Sequence, residues 1–391
     1  MKKIPLWKVK RELKRAGRQL AGLPGVIWEY LFLRPLYDRK ISRQKVVHQG
    51  AKPIAGEVAV YLVYAPDGLL ASHHDMLAQI AKHGITPVVV SNLPLSETDR
   101  ATLLDQSALV IERPNVGYDF GGYRDAVLQM ASQLPTLERL YILNDSTWMI
   151  EAPRSWFDDV RAAGCDFVGA TSNYGIRRDD VERFRDLVWE YTIDHPNYHY
   201  ASYALAMGPR ILRDPAFLRY WRRFRLSNHK KRTVRRGEIG LTQWVISHGY
   251  NHTATCNVFD LDHEIKKLDN TALDEVARNL VIPEDPKLER KRNEVVQSDR
   301  DTDRGREDRI QIILMTVARQ AMGYSMPFYT LRYRGFQFLK KSPLSLSRES
   351  SDTMLKIMSA LEGPMGRHAA SEAHRLRETK GQHLGQFHDD V

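Results

Sequence analysis

From Glu57 to Leu143 the chain alternates short apolar runs with polar-faced segments of helical period, and this alternation constrains the fold more than any other feature. Residues 58–64, 86–91, 108–112 and 139–143 read as strands. Residues 72–83, 97–105 and 123–133 read as the helices between them. Strands joined by single helices build a parallel sheet covered on both faces. After Asp145 the regularity breaks down. Residues 166–170 and 203–207 look like further strands, and 237–248 like a helix turning Leu241, Trp244 and Val245 inward. The expected fold is therefore α/β, a Rossmann-type, mostly parallel sheet with helical N- and C-terminal extensions.

Two polar stretches follow apolar strand runs directly. Asn115-Val116-Gly117-Tyr118-Asp119-Phe120-Gly121-Gly122-Tyr123 follows residues 108–111, and Asn144-Asp145-Ser146 closes the run 140–143. Both fall at the carboxyl edge of the expected sheet, where open α/β sheets bind ligands. The glycines let backbone approach a phosphate or sugar, and Asp and Asn supply hydrogen bonds or metal oxygens. Nucleotide-sugar chemistry is the first possibility this arrangement raises.

Charge sets the outer limits. The chain has 391 residues, 42% of them hydrophobic, and a formal charge of +10. The first fifty residues hold thirteen Lys or Arg against Glu12, Glu29 and Asp38, which accounts for the whole surplus. A near-neutral body without zinc-finger spacing or an aromatic RNA-binding signature argues against nucleic acid. Within the arm, Leu6, Val9, Leu13, Ala16 and Leu20 recur at helical spacing among Lys and Arg. Such a helix either lies on an anionic membrane, with residues 1–35 as the contact, or docks on the body with its charges outward.

Cys165 and Cys256 show no paired spacing, which fits a reducing compartment. No apolar stretch is long enough to span a bilayer or to act as a removable signal. The expected place is the cytoplasm, peripheral at the inner face of the cell membrane. By composition the chain divides into a basic arm (1–50), a catalytic domain (55–283), a charged linker or exposed helical segment (284–309) and a helical extension with a poorly ordered tail (310–391).

Five ordered motifs carry a resemblance. Asn115-Val116-Gly117-Tyr118-Asp119-Phe120-Gly121, Leu143-Asn144-Asp145-Ser146, Asp166-Phe167-Val168-Gly169-Ala170-Thr171, His199-Tyr200-Ala201-Ser202-Tyr203 and Glu238-Ile239-Gly240-Leu241-Thr242 together resemble the rhamnan synthesis protein F family of polysaccharide-building glycosyltransferases. The resemblance spans residues 58 to 255. It implies a glycosyltransferase-A-like fold, a nucleoside diphosphate sugar as donor, and a glycan or lipid-linked acceptor. It also implies a role in rhamnose-containing or related bacterial surface polysaccharide, such as the O-antigen of lipopolysaccharide. The chain departs from the family pattern after Asn144-Asp145-Ser146, where Thr147-Trp148-Met149-Ile150 replaces a Gly-Pro pattern.

Glycosyl transfer needs charge neutralisation on the leaving diphosphate and, for inversion, a base on the acceptor hydroxyl. Asp145 stands where such enzymes carry a metal-binding Asp-x-Asp, although only the central residue is acidic here. It is a candidate catalytic residue and ligand for Mg²⁺ or Mn²⁺, or else an Asx turn ending a strand. Donor contacts are expected from Asn115, Gly117, Asp119, Gly121, Asn144, Ser146 and Arg124, Asp119 being otherwise a helix cap. Glu238, at the start of an acceptor-side helix, is the first candidate base, or a favourable charge at a helix N-terminus. His199 and Ser202 are candidates for acceptor or phosphate contact. The acid-free basic run from Arg219 to Arg236 is either a site for a lipid pyrophosphate or membrane surface, or a solvated face. The competing reading is a non-catalytic relative that keeps the fold and binds glycan or partner enzymes.

Overall fold

The structure, a computed structural model, describes residues 24–381. The amphipathic run from Leu6 to Leu20 lies outside them. An eight-stranded sheet forms the frame. Its strands are β1 (Val46–Gln49), β2 (Glu57–Val63), β3 (Thr86–Ser91), β4 (Leu109–Glu112), β5 (Arg139–Asn144), β7 (Phe167–Gly169), β10 (Ala204–Met207) and β11 (His252–Ala254). They stand in the order β1-β4-β3-β2-β5-β10-β7-β11. The centre, β4-β3-β2-β5, is wholly parallel, while β1 and β10 run against their neighbours. Pairs β6 (Thr147–Met149) with β12 (Phe338–Lys340), and β8 (Ser172–Asn173) with β9 (His199–Tyr200), sit outside this sheet.

Burial on both faces explains why β2 reads as an unbroken apolar run. Ala59, Tyr61 and Val63 point to one core, where Met76, Leu77 and Ile80 of helix Ala71–Lys82 meet them. Val58, Val60 and Leu62 point to the other, against Phe120, Tyr123 and Val127 of helix Tyr118–Gln129. That helix begins five residues before the expected start. Gly117 (φ +83°) and Tyr118 (φ +50°) both take the left-handed conformation, so the chain turns sharply and helix geometry begins at Tyr118. For Tyr118 this costs about 1 kcal/mol.

The charged stretch 284–309 runs through helices Pro286–Gln297 and Asp303–Arg319. Their apolar faces bury Leu288, Val295 and Ile312, and Arg309 is held inside by Asp274 at 2.8 Å. Helix Gly363–Gly381 extends well into the tail region, further than composition suggests. It packs Ala369 and Ala373 beneath Trp148 and Leu339. Its Glu372 accepts hydrogen bonds from Ser72 Oγ and Trp148 Nε1, both at 2.7 Å. The carboxyl-terminal segment is thereby fixed to the first βα unit. No helix among the described residues is long and apolar enough to cross a membrane.

Candidate active site

Sheet order decides where a site can form. From β2 the chain builds outward through β3 and β4, then returns to place β5 on the other side of β2. The carboxyl ends of β2 and β5 therefore flank the point where the order reverses, the usual crevice of open α/β sheets. Asp145 follows β5 there, and its Oδ2 accepts the backbone N–H of Tyr64 at 2.6 Å. His73 supports it from helix Ala71–Lys82. Its Nδ1 accepts the Leu70 N–H, so the ring proton sits on Nε2, which lies 3.6 Å from Asp145 Oδ2. That buried Nε2 has no hydrogen-bond partner. Asp145 Oδ1 has none either, among the described residues.

Asn144 links the two polar stretches. Its amide donates to Asp119 Oδ2 and to the Tyr123 hydroxyl, both at 2.9 Å, and its carbonyl accepts the N–H and hydroxyl of Ser146. Tyr123 in turn donates to the Ser202 carbonyl at 3.1 Å. Ser202 then donates twice to Glu238 Oε1, from Oγ at 2.6 Å and from N at 3.1 Å. One hydrogen-bonded chain thus runs Asp119, Asn144, Tyr123, Ser202, Glu238, across 119 positions of sequence. Burial, with the charges of Asp145 and Glu238, pushes Asp119 up to about 6 against the pull of Lys340 and Lys230. The three carboxylates therefore lie close enough to act on one another electrostatically.

Glu238 sits in a π-helical turn, Arg235–Ile239, spliced between helices Lys230–Val234 and Gly240–Ser247. Such turns recur at functional sites because the extra residue re-aims a side chain. Oε1 is committed to Ser202. Oε2 faces His199 Nε2 at 3.7 Å. The other ring nitrogen of His199 lies 2.7 Å from the Asn197 carbonyl, which can only accept, so Nδ1 carries a proton and Nε2 is directed at Glu238.

One group acting on Asp119 and Glu238 comes from a part of the chain without any motif. β12 pairs with β6, which sets Lys340 opposite Thr147 and brings the Lys341 N–H to the Ser146 carbonyl. Lys340 Nζ lies 3.3 Å from Ser146 Oγ and 4.2 Å from the centre of the Tyr203 ring. Burial lowers it to about 8, although Glu238 and Asp119 hold it up. No motif marks Lys340, but strand alternation puts it on the face of buried Phe338, and a lysine on an inward face is the signal available. His73 gave no such signal, since its spacing to other candidates is unremarkable.

Other candidates lie elsewhere. Arg124 is buried and occupied, with Nε on the Trp221 carbonyl at 3.0 Å and Nη1 on Asp38 at 2.8 Å. It fastens the helix to neighbouring segments and has no free group for a phosphate. Asn115 is exposed on the approach to the turn. Gly117 donates its N–H to Asn228 Oδ1 at 3.0 Å. Gly121 is required by close packing, because a Cβ there would collide with the Val116 carbonyl. These glycines shape the turn that presents Asp119, rather than a backbone cradle for phosphate. Nor do the residues fit a protein-built metal cage. No three His, Cys, Asp or Glu side chains converge for a cation among the described residues. Asp145 offers a single free oxygen where a Mg²⁺ ion takes six.

A model of the rhamnan synthesis protein F family matches residues 87–300, from β3 through the Glu238 helix and beyond. The chain belongs to that family. It is 35% identical over 237 residues to an uncharacterized protein, y4gN, of Sinorhizobium fredii (strain NBRC 101917 / NGR234), a match covering 60% of this chain and 57% of the relative. The chain thus spans little more than half the length of that curated relative. Among solved structures it is similar to a galactosyltransferase, LgtC, crystallised with donor and acceptor sugar analogs. That likeness has 13% identity and a TM-score of 0.24, over 49% of this chain and 64% of the other. Asp119, Asn144, Ser202 and Glu238 fall within the family match, whereas Lys340 and His73 fall outside it.

Proposed function

We propose that the protein transfers a sugar, rhamnose by the family's name, from a nucleoside diphosphate donor to a growing surface glycan, with inversion. The observation that carries this reading is the hydrogen-bonded chain from Asp119 to Glu238. It joins the edge read as the donor side to the helix read as the acceptor side, at the reversal of strand order.

In the proposed reaction the acceptor hydroxyl oxygen forms the new bond to the sugar C1. The bond from C1 to the diphosphate oxygen breaks, and its electron pair leaves with the diphosphate. The acceptor proton passes to Glu238 Oε2, the oxygen that Ser202 leaves free. Ser202 fixes the carboxylate's orientation and His199 stands behind the oxygen that becomes protonated. On the donor side, Asp145 Oδ1 is an acceptor for the hydroxyls of the sugar. Asp119 and Asn144 hold the edge in shape. A Mg²⁺ or Mn²⁺ ion would depend on Asp145, substrate phosphates and water, and no step is routed through one.

A lipid-linked acceptor and a membrane surface, of the kind lipopolysaccharide assembly uses, find support on the other side of the Glu238 helix. There Arg219, Arg223, Arg225 and Arg236 line an open groove of about 530 Å³ with Tyr220 and Trp244. Beside it Ile27, Trp28, Leu31 and Phe32 are about half exposed, and the Arg225 guanidinium stacks 3.6 Å from the Tyr30 ring. Arginines alongside exposed apolar side chains suit an anionic lipid surface.

The test is a panel of thymidine, uridine and guanosine diphosphate sugars, each offered with and without Mg²⁺ and read as nucleotide release. The reading expects at least one donor to turn over with dependence on Asp145 and Glu238. If no donor is cleaved while a purified glycan still binds, the protein is the non-catalytic relative.

A further inference from the structure

We infer that Lys340 is the cation that receives the charge of the departing diphosphate, a task commonly given to a bound metal. The inference deepens the reading above and rests on it. Its starting point is the mismatch between the donor set and a metal. Asp145 Oδ2 is committed to the Tyr64 N–H and faces His73, Asp119 Oδ2 to Asn144, and Glu238 Oε1 to Ser202. No three such groups meet on one point among the described residues. Positive charge at this edge comes instead from a side chain.

Three observations select Lys340. It is locked in place, because β12 pairs residue by residue with β6, the strand that immediately follows Asn144-Asp145-Ser146. Its ammonium lies 3.3 Å from Ser146 Oγ and 4.2 Å from the centre of the Tyr203 ring, near enough to Asp119 and Glu238 to feel both charges. And among the described residues it forms no ion pair. Asp119 and Glu238 act on it electrostatically without touching it. A buried ammonium with one neutral hydrogen bond is expensive as a packing element, and Met would fill the same space at lower cost. An ammonium is also a compact charge of the kind used for phosphates, with three donors, of which one meets Ser146 among the described residues. Neutralising charge that appears only as the leaving group departs lowers the barrier itself.

A purely structural Lys340, present to soften repulsion between Asp119 and Glu238, gives a different result in binding measurements. Isothermal titration of the full chain with thymidine, uridine and guanosine diphosphates, and with the matching nucleosides, separates the two. For the nucleotide that binds, Lys340→Met is expected to lose about 10- to 100-fold in diphosphate affinity, as the loss of a charged hydrogen bond predicts. Nucleoside affinity should stay within about threefold, and Lys340→Arg should recover most of the diphosphate affinity. The wild-type value should change little between EDTA and Mg²⁺. Lys340→Gln keeps a polar but uncharged side chain at this position and carries the test if the Met variant does not fold. A wild type that binds a diphosphate no tighter than either neutral variant overturns the role of Lys340 alone. A wild type that binds none of the nucleotides overturns the nucleotide-sugar reading, and this inference with it.

Discussion

The helix Tyr118–Gln129 carries two aspartates that have opposite relations to positive charge. Asp125 is closed in. Arg113 Nε donates to it at 2.8 Å, the Tyr37 hydroxyl adds a second bond, and the two ionic side chains are 0% and 4% exposed. Arg113 then spends its remaining donors on Asn92 and on the Val116 carbonyl. Asp119, less than two turns earlier, has Asn144 as its hydrogen-bond partner and lies near Lys340 without touching it. The first cluster has every group satisfied and holds the Gly117 turn in shape. In the second, charges stand within reach of each other but apart, with Lys340 and Asp145 Oδ1 free to meet something else. Paired charge here builds the frame, and unpaired charge marks the working edge.

The largest effect that sharpens this contrast belongs to the open cluster. Glu238→Gln keeps the Ser202 bonds but cannot take a proton, so turnover should fall by about 10²- to 10⁴-fold with little change in thermal midpoint. Unaltered turnover would remove Glu238 from the chemistry. The closed cluster should behave in the reverse way. Asp125→Ala strands Arg113 inside the fold, and urea unfolding should register a loss of about 3–5 kcal/mol. A loss below about 1 kcal/mol would mean the two aspartates are not different in kind.

A smaller effect is expected where the carboxyl-terminal helix is tied down. Burial alone would raise Glu372, but hydrogen bonds from Ser72 and Trp148 prevail and hold it below the ordinary carboxylate range. Glu372→Ala leaves the Ser72 and Trp148 donors unpaired and should cost about 1–3 kcal/mol. Hydrogen exchange should quicken first in residues 363–381. Because this helix packs beneath β6 and β12, diphosphate affinity should weaken as well. If exchange changes and affinity does not, Lys340 is positioned by β12 alone.

The contrast also explains what could be read in the sequence. Strands buried on both faces leave unbroken apolar runs, so β2 to β5 and the two polar stretches at their ends were legible. Arg124 misled, since an arginine next to a glycine turn looks the same whether it will meet a phosphate or, as here, Asp38 and a helix carbonyl. The charge density of 284–309 looked solvated because periodicity cannot foresee that Arg309 will be buried on Asp274. Lys340 and His73 reach the site through three-dimensional pairing. Lys340 does so across nearly 200 positions, and no local pattern announces a contact made at that distance.

The smallest effect tests the open aspartate through pH. Asp119 titrates at about 6 in the folded protein against an ordinary 3.8, so between those values the folded chain holds a proton that the unfolded chain has released. Stability then falls as pH rises through that window, and above it the ionised carboxylate is a net burden on the fold. Asp119→Asn keeps an acceptor for the Asn144 amide while removing the charge. Its unfolding free energy should therefore exceed that of the wild type by on the order of 1–2 kcal/mol near pH 7.5, the advantage vanishing below about pH 4, where Asp119 is protonated in both states. If Asp119→Asn instead destabilises the protein equally at both pH values, Asp119 is a structural group of the same kind as Asp125, and the open cluster loses one of its three carboxylates.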